Sequence, residues 1–286
     1  MATLNDALAT LDTLPALPAT SMRLVTLLAG GGAAADLREV ERIVRHDEAV
    51  AAAVLRVANS VAYSSAGNTF GLSDAVRRLG ARTLCRIALE TQATGFLVDA
   101  GCAYGLRRGS LSQSAMGGAI AADILAHRYH AQPELCFIAA LLRDIGKLAI
   151  DKIAGPNALE VIALRAEAQP FLAYEREAFG MDHAQLGAHL CERWRLPPEI
   201  VRAVRHHHEP PTDAPDLTCD VVHTADCVAR WAGLGVGCDG LYYPYDAGTR
   251  TRLGTTRGEL EALVADVVAA SAPKQSSLPL EQRNTA

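Results

Sequence analysis

Apolar side chains recur every three or four residues along most of this chain, which is the spacing of one face of an α-helix. The pattern appears first over residues 19–29 and is followed by a turn of three glycines, Gly30 to Gly32. A short helix is predicted to begin at Ser73 and to end at Gly80. Further helices are predicted over residues 47–60, 81–97, 111–130, 134–151, 157–168, 183–195, 198–208 and 217–232, with others opening at Asp36 and Thr256. No stretch alternates between apolar and polar residues as a strand does, so the pattern predicts an all-α fold.

One segment interrupts this periodicity. Residues 98–110 contain three glycines, and we interpret them as the boundary between two helical lobes. The predicted architecture is a two-lobe helical bundle, with an N-terminal lobe over residues 1–105 and a second lobe over residues 106–232. Residues 233–270 are predicted to form a loop and an amphipathic helix that packs on the second lobe. The tail, 271–286, is rich in Ser, Pro, Gln and Asn and is expected to be disordered.

Composition narrows the possible partners. The 286 residues carry a formal net charge of -5 and contain no block of basic residues, so no DNA or RNA partner is predicted. The N-terminal segment lacks the basic and apolar regions of a signal peptide, and no apolar run approaches the roughly 18 residues of a membrane span. The seven cysteines form no C-x-x-C pair, which favours reduced core thiols in a cytoplasmic protein.

The second lobe holds most of the candidate chemistry. Its polar groups are Arg143-Asp144, Asp182-His183, the run His206 to Glu209, and His223 with Asp226. Aspartate and neutral histidine are ligands for divalent ions, although these spacings are not those of a zinc motif. Helix caps and surface histidines are the alternative interpretation. Asp144 lies in an otherwise apolar segment, so its carboxylate should be partly buried, with Lys147 three residues later as its partner.

Several short segments recur in the order and spacing of one known family. They are Leu14 to Pro18, Leu55 to Ser60 with Tyr63, Ala75 to Gly80, LLRDIGKL at 141–148, and the segments at 179–187, 206–210 and 223–226. Together they resemble the HDOD domain, the HD-related output domain of bacterial signalling proteins. The resemblance covers about residues 10–232 and implies a helical module that acts through a signalling protein. The literal His46-Asp47 pair lies in the first lobe, and we interpret Asp47 as a helix N-cap.

HDOD domains are similar to HD-type metal phosphohydrolases and to HD-GYP cyclic-dinucleotide phosphodiesterases. Matched by motif, the ligand positions of those enzymes fall at Gln113, Arg143, Asp144, His183, His207, His208 and Asp226. Arginine has five donors, no acceptor and a permanent charge, so it cannot ligate a metal. The resemblance therefore implies a degenerate site with no catalytic residue, no bound metal and no cofactor. We expect the Arg143 guanidinium to replace the ion and to bond Asp144 and Asp226 in bidentate fashion.

The functional prediction is a non-catalytic signal-transduction module that binds another protein. Leu241, Tyr242, Tyr243 and Tyr245 in the loop 233–250 are the predicted contact surface, since Tyr is common at interfaces. The alternative is that this loop packs back on its own domain. Two other functions stay open: a residual phosphodiesterase with a displaced metal, and a module that senses a phosphate or nucleotide. No small-molecule ligand is predicted.

Overall fold

A computed structural model defines the fold. It describes residues 4–14, 18–29, 37–60, 63, 71–159, 170–240 and 242–271. Within these ranges the secondary structure is helical and contains no strand, which confirms the all-α prediction. The Gly30 to Gly32 turn, most of the helix predicted over 157–168, and the tail after Ser271 lie outside the described residues.

The first half of the chain forms helices that gather around one long helix. They are α1 (Leu4–Thr13), α2 (Ala19–Ala29), α3 (Leu37–Arg45), α4 (Glu48–Ala58) and α5 (Leu72–Leu97). The Asp47 carboxylate accepts a hydrogen bond from Val50 N at 3.1 Å, which confirms that Asp47 is the N-cap of α4. The predicted stop at Gly80 is a kink inside α5, where the glycine has a φ of 73°. Helices α2, α3 and α4 pack against α5.

The second half is built around α6. After a 3₁₀ turn at Cys102–Tyr104 come α6 (Ser110–Tyr129), α7 (Pro133–Leu142), α8 (Lys147–Ala154), α9 (Phe171–Phe179), α10 (His183–Arg193), α11 (Pro198–Arg205), α12 (Leu217–Trp231), α13 (Ala247–Leu253) and α14 (Arg257–Ser271). Helix α6 packs against α5, α7, α12 and α14, so it is the central element of the second half. In the described part of the chain, no helix combines the length and apolar character that crossing a bilayer requires.

Helix α1 contacts the second half of the chain. It packs on α8, α9 and α10, and the Lys152 ammonium donates to the Thr13 carbonyl at 3.1 Å. Arg193 forms an ion pair with Asp12 at the same contact. Residues 4–13 fall within the predicted N-terminal lobe, and the structure places their helix in contact with helices of the second half.

The helix predicted over 134–151 is broken into α7 and α8 by a turn at residues 143–146. Gly146 explains why this turn packs so closely on α10, because a Cβ there would overlap with the carbonyl oxygen of His183. Apolar periodicity continues through LLRDIGKL, so the pattern alone does not reveal the break. The turn places Arg143 and Asp144 in the core of the second half.

The helix predicted over 198–208 ends earlier, at Arg205. Proline disfavours helical geometry in the residue before it, so Pro210 prevents the helix from continuing through Glu209. His207 and His208 therefore lie in a bend outside the helix, and both are buried.

Candidate functional site

The Arg143 side chain is fully buried at the end of α7. Its Nε donates to Asp226 Oδ1 at 2.8 Å, and its Nη1 donates to the Ala140 carbonyl at 2.8 Å. Its Nη2 donates to the hydroxyl and carbonyl oxygens of Ser114, at 2.7 and 3.2 Å. Asp144 Oδ2 lies 3.6 Å from Nε. Arg143 thus reaches both carboxylates, but the predicted bidentate bonds are wrong because Ala140 and Ser114 take the other nitrogens.

Helix α6 makes room for this guanidinium at Gly118. A Cβ at position 118 would lie 2.8 Å from Arg143 Cζ and would overlap with Nη1. Real Cβ atoms essentially never approach so closely, so the site requires glycine as long as Arg143 keeps its place. The neighbouring Gly117 faces Leu234 in the same manner. Two consecutive glycines inside a helix are a sequence signal of this close packing.

The structure does not bring Gln113 to the site. Gln113 is exposed, whereas the next residue, Ser114, is buried and bonded to Arg143. A shift of one residue turns a side chain by about 100° around a helix. The predicted ligand position at Gln113 is therefore corrected to Ser114.

Lys147 extends the charged cluster beyond Arg143. Its ammonium lies 3.1 Å from Asp144 Oδ1, which confirms the predicted pair three residues apart. It donates to Asp239 Oδ2 at 2.9 Å and lies 4.8 Å from the centre of the Tyr104 ring. The side chains of Lys147 and Asp239 are both almost completely buried. Asp239 and Tyr104 were not predicted from the sequence, because they lie far from Lys147 along the chain.

Cationic neighbours keep the two central carboxylates ionised. Burial alone would raise the pKa of Asp144, but the charges of Lys147 and Arg143 hold that pKa well below its ordinary value. Burial alone would also raise the pKa of Asp226, but the charges of Arg230 and Arg143 lower it. Arg230 Nε donates to Asp226 Oδ2 at 3.0 Å. Protein cations therefore neutralise both carboxylates.

His183 opens α10 beside these carboxylates. The preceding residue, Asp182, forms a capping box with Gln185, in which each side chain accepts from the other's backbone nitrogen at 2.7 and 3.1 Å. Arg176 donates to Asp182 Oδ2 at 2.6 Å and fixes the cap further. The start of α10, and with it the His183 ring, is held firmly in position.

Glu175 is the partner of His183 on its outer side. The carboxylate lies 2.8 Å from His183 Nδ1 and accepts from His183 N at 2.7 Å. The Tyr104 hydroxyl donates to the same carboxylate at 2.7 Å. Burial alone would lower the pKa of His183, but Glu175 raises it above its ordinary value. Glu175 is a site residue that the sequence did not predict, because FLAYEREAF contains two glutamates and the sequence does not show which one is buried.

His207 and His208 complete the cluster. His207 Nδ1 lies 2.7 Å from the Val204 carbonyl, so Nδ1 carries the proton and Nε2 offers a lone pair. The His208 ring stacks on Tyr243 at 3.7 Å between centroids, and its Nε2 lies 3.1 Å from His183 Nε2. Burial lowers the pKa of His207 to about 4. Burial, together with the neighbouring imidazoles, lowers the pKa of His208 well below its ordinary value.

Comparison with known proteins identifies the family. The family model for the HDOD domain matches residues 14–210, which is more than half of the chain. The chain belongs to the HDOD family. A curated relative, an uncharacterized protein of Treponema pallidum (strain Nichols), is 22% identical over 203 residues, or 70% of this chain. The match covers 39% of that relative, so the chain spans about two fifths of its length.

Solved structures share the HDOD fold. An HDOD domain protein of unknown function from Geobacter sulfurreducens is 23% identical, with a TM-score of 0.73 over 94% of this chain and 96% of that one. A candidate phosphohydrolase from Shewanella amazonensis SB2B is 23% identical, with a TM-score of 0.61 over 92% and 98%. A candidate signal-transduction protein from Marinobacter aquaeolei VT8 is 22% identical, with a TM-score of 0.66 over 91% and 58%. At these identities the likeness shows the fold alone.

The metal site of HD-type enzymes does not fit the corresponding residues of this HDOD chain. Asp144 and Asp226 remain as donors, but the Arg143 guanidinium bonds to Asp226 and lies against Asp144. An ion bound between these carboxylates would lie next to the permanent positive charge of Arg143. Four of the matched positions that keep a donor form a cluster beside it. Asp144, His183, His207 and His208 each offer one ligand atom, and these atoms all lie within 4.8 Å of one another.

The tyrosine loop packs largely on its own domain. Tyr243 is buried against His208, which corrects its predicted place on a contact surface, and Tyr242 is half-buried. Leu241 lies outside the described residues. Tyr245 is half-buried, and its hydroxyl lies 2.8 Å from Thr255 Oγ1.

Tyr245 also lines a surface groove. The ring of Trp231, a residue that is 48% exposed, meets the Tyr245 ring at 5.8 Å between centroids. The groove has a volume of about 460 Å³, and its other lining residues are Arg250, Arg257, Leu260, Glu261 and Val264. We call it the Trp231 groove.

Proposed function

We propose that this HDOD chain is a non-catalytic bacterial signal-transduction module that acts by binding another protein. The observation that carries the proposal is the position of Arg143. A fully buried guanidinium, bonded to Asp226 and lying 3.6 Å from Asp144, stands where the resemblance places a histidine ligand of the enzymes.

Electrostatics supports this proposal. At about 4 Å and an effective dielectric constant of about 20, each unit of charge on a cation is repelled by a guanidinium by about 4 kcal/mol. Arg143 keeps its charge at every accessible pH, so the repulsion cannot be relieved by deprotonation. A divalent ion that would activate water between Asp144 and Asp226 is strongly disfavoured. The chemistry of HD phosphohydrolases has no support at these positions.

The surface of the molecule supports the second half of the proposal. Trp231 and Tyr245 combine large apolar rings with a polar atom, and such aromatic residues are enriched in protein interfaces. Arg250 and Arg257 lie at the same groove, and Arg is enriched there as well. The Trp231 groove takes the place of the buried Tyr243 as the proposed contact surface.

A residual phosphodiesterase is the second candidate, and the cluster of Asp144 with the three histidines is the observation that favours it. A phosphate sensor has less support, because every nitrogen of Arg143 already donates to a protein oxygen.

The test of the non-catalytic proposal is hydrolysis of cyclic dinucleotides by the purified full chain supplied with Mn²⁺ or Fe²⁺. We expect no turnover above the protein-free control. Turnover by the wild-type chain that is lost in the His207→Gln variant contradicts the proposal.

Partner binding is tested separately. The immobilised chain is used to capture proteins from cells of its source bacterium, in parallel with Trp231→Ala and with Leu217→Ala, an exposed apolar control on the same helix. We expect a partner that binds the wild type and Leu217→Ala and is lost with Trp231→Ala. Equal capture by all three contradicts the role of the groove, and no specific capture contradicts the binding function.

A further inference from the structure

We infer that the Trp231 groove binds an amphipathic helix of a partner protein, in which carboxylates flank a short apolar face. The inference rests on the proposed function, because it names the kind of partner that this groove would bind. Three features of the groove support it: an apolar row along α14, a concave shape and an excess of positive charge.

Helix α14 carries two sets of apolar side chains, and the fold uses only one of them. Leu263 and Val267 are buried where α14 packs on α6 and α12. Leu260 and Val264 are half-buried, and Val268 is 48% exposed. Because these three residues are four apart, they form a row about 12 Å long on one side of the helix. A row of that length matches about two turns of a second helix.

The concave shape of the groove suits a helix that inserts side chains. Leu260 and Val264 line it together with Trp231 and Tyr245, which come from the end of α12 and the loop before α13. Its volume of about 460 Å³ is within the roughly 300–1,000 Å³ of ligand pockets in proteins. Amphipathic helices bind such grooves through apolar residues spaced by three or four.

The groove has an excess of positive charge, although the whole chain has a formal net charge of -5. Its charged lining residues are Arg250, Arg257 and Glu261. Arg250 is exposed and forms no ion pair with any residue that the structure describes. Arg257 pairs with Glu261 at 2.7 Å, but the two side chains are 89% and 63% exposed, and exposed pairs of this kind are weak. Both guanidinium groups are therefore available to carboxylates of a partner, which they bind in bidentate fashion.

A neighbouring arginine on α13 has a structural role instead. Arg252 donates from Nε and Nη2 to the Asp220 carboxylate, at 2.8 and 2.6 Å. Asp220 lies on α12 and is buried, so this pair fastens α13 to the core. Arg250 makes no such contact, and its charge is not needed to hold α13 in place.

Two other occupants fit the groove less well. A bilayer surface binds helices whose apolar side chains project outward from one face, whereas Trp231, Leu260 and Val264 line a depression. In a symmetric contact between two copies of this chain, the same patch faces itself, so the excess positive charge would be repelled by its own copy. A separate protein that supplies carboxylates meets neither difficulty.

The experiment uses the full chain and two synthetic helical peptides with the same face of leucines. Glutamates flank this face in the acidic peptide, and lysines replace them in the basic peptide. By fluorescence anisotropy, we expect the acidic peptide to bind at least tenfold more tightly than the basic one, and the preference to weaken with added NaCl.

Four variants locate the binding. Trp231→Ala and Arg250→Glu should each weaken binding of the acidic peptide at least tenfold. Arg107→Glu, the same charge reversal at an exposed arginine outside the groove, should bind like the wild type. Glu261→Gln releases Arg257 from its intramolecular pair and should bind the acidic peptide more tightly, a gain that a misfolded variant would not show.

Equal binding of the two peptides, no binding of the acidic one, or unchanged binding by Arg250→Glu overturns the inference. Binding to phosphatidylserine vesicles that is lost in Trp231→Ala would assign the groove to a membrane surface instead. A dimer in sedimentation equilibrium that dissociates in Trp231→Ala would assign it to a second copy. Either of these results also overturns the inference.

Failure of this inference can be distinguished from failure of the proposed function. In the capture experiment, a partner that is lost with Trp231→Ala but retained by Arg250→Glu leaves the binding function standing and overturns only the acidic character of the partner. Conversely, turnover of cyclic dinucleotides contradicts the non-catalytic proposal and leaves the result of peptide binding as measured.

Discussion

The guanidinium of Arg143 occupies the space that a Cβ at Gly118 would need, so a side chain of any size at position 118 would displace it. Helix α6 supplies both the space at Gly118 and the acceptor oxygens of Ser114, four residues earlier on the same face. The buried guanidinium of Arg143 therefore depends on the absence of a side chain at Gly118. A change at either residue should disturb the other.

Gly118→Ala should destabilise the fold by about 1–3 kcal/mol, the range of overpacking substitutions in a core. Helix propensity opposes this effect, because alanine is favoured over glycine in a helix interior by about 1 kcal/mol. Gly95→Ala is the matched control, since Gly95 also lies inside a helix, is exposed, and has open space around its Cβ position. Urea unfolding of the two variants measures the difference. Equal stabilisation of both would show that Arg143 does not press on α6.

Arg143→Ala should lower the free energy of unfolding by about 3 kcal/mol, as expected when one partner of a buried ion pair is removed. The substitution leaves Asp226 with Arg230 and leaves Asp144 with Lys147, so the carboxylates keep one cation each. Arg107→Ala, at an exposed arginine, is the control and should change stability little. Thermal and urea melts measure both. An unchanged Arg143→Ala melt would refute the idea that the guanidinium takes over the role of an ion.

The helices were predictable where local signals define them. Asp47 as a cap and Gly80 as an interruption follow from the chemistry of single residues, and both appear in the structure. The break at 143–146 was not predictable, because apolar spacing continues through it. That turn is favoured by the close contact of Gly146 with His183, which only the folded chain contains.

Part of the candidate site could also be predicted, where a short spacing along the chain defines the contact. The Asp144–Lys147 pair follows from a spacing of three residues, and it is present. Gln113 was placed by motif, but motif matching does not fix helix register to one residue, and Ser114 faces the site instead. Glu175 escaped prediction because its contact with His183 crosses the turn between two helices.

Tyr243 should contribute to stability rather than to partner binding, because its ring stacks on His208 in the interior. Tyr243→Ala should cost about 3–5 kcal/mol, as for other large aromatic truncations in a core. Tyr243→Phe keeps the ring and loses only the hydroxyl, which lies 3.4 Å from Asp239 Oδ2, so its effect should be much smaller. Urea unfolding of both variants provides the measurement. A Tyr243→Ala protein as stable as Tyr243→Phe would contradict this assignment.

The stability of the chain, measured in chelator, should fall as the pH drops from 6.5 toward 4, and His207 should be one cause. The folded state holds the pKa of His207 at about 4, against an ordinary value of 6.5. Between these values the unfolded chain takes up a proton that the folded chain excludes, so acid favours unfolding. A shift of this size corresponds to roughly 3 kcal/mol across the window. His208, whose pKa is also lowered by burial, adds to the effect. The raised pKa of His183 acts mainly above pH 6.5, where the folded chain keeps a proton that the unfolded chain releases.

The His207 contribution is isolated by urea unfolding of the wild type, His207→Gln and His127→Gln at several pH values between 7 and 4. Glutamine cannot take up the proton, so the stability of His207→Gln should depend less steeply on pH than that of the wild type. His127 is exposed, and its replacement is the control for loss of a surface imidazole. Parallel curves for all three proteins would mean that His207 is protonated as easily in the folded chain as in the unfolded one. That result would be incompatible with a neutral imidazole buried beside His183 and Asp144.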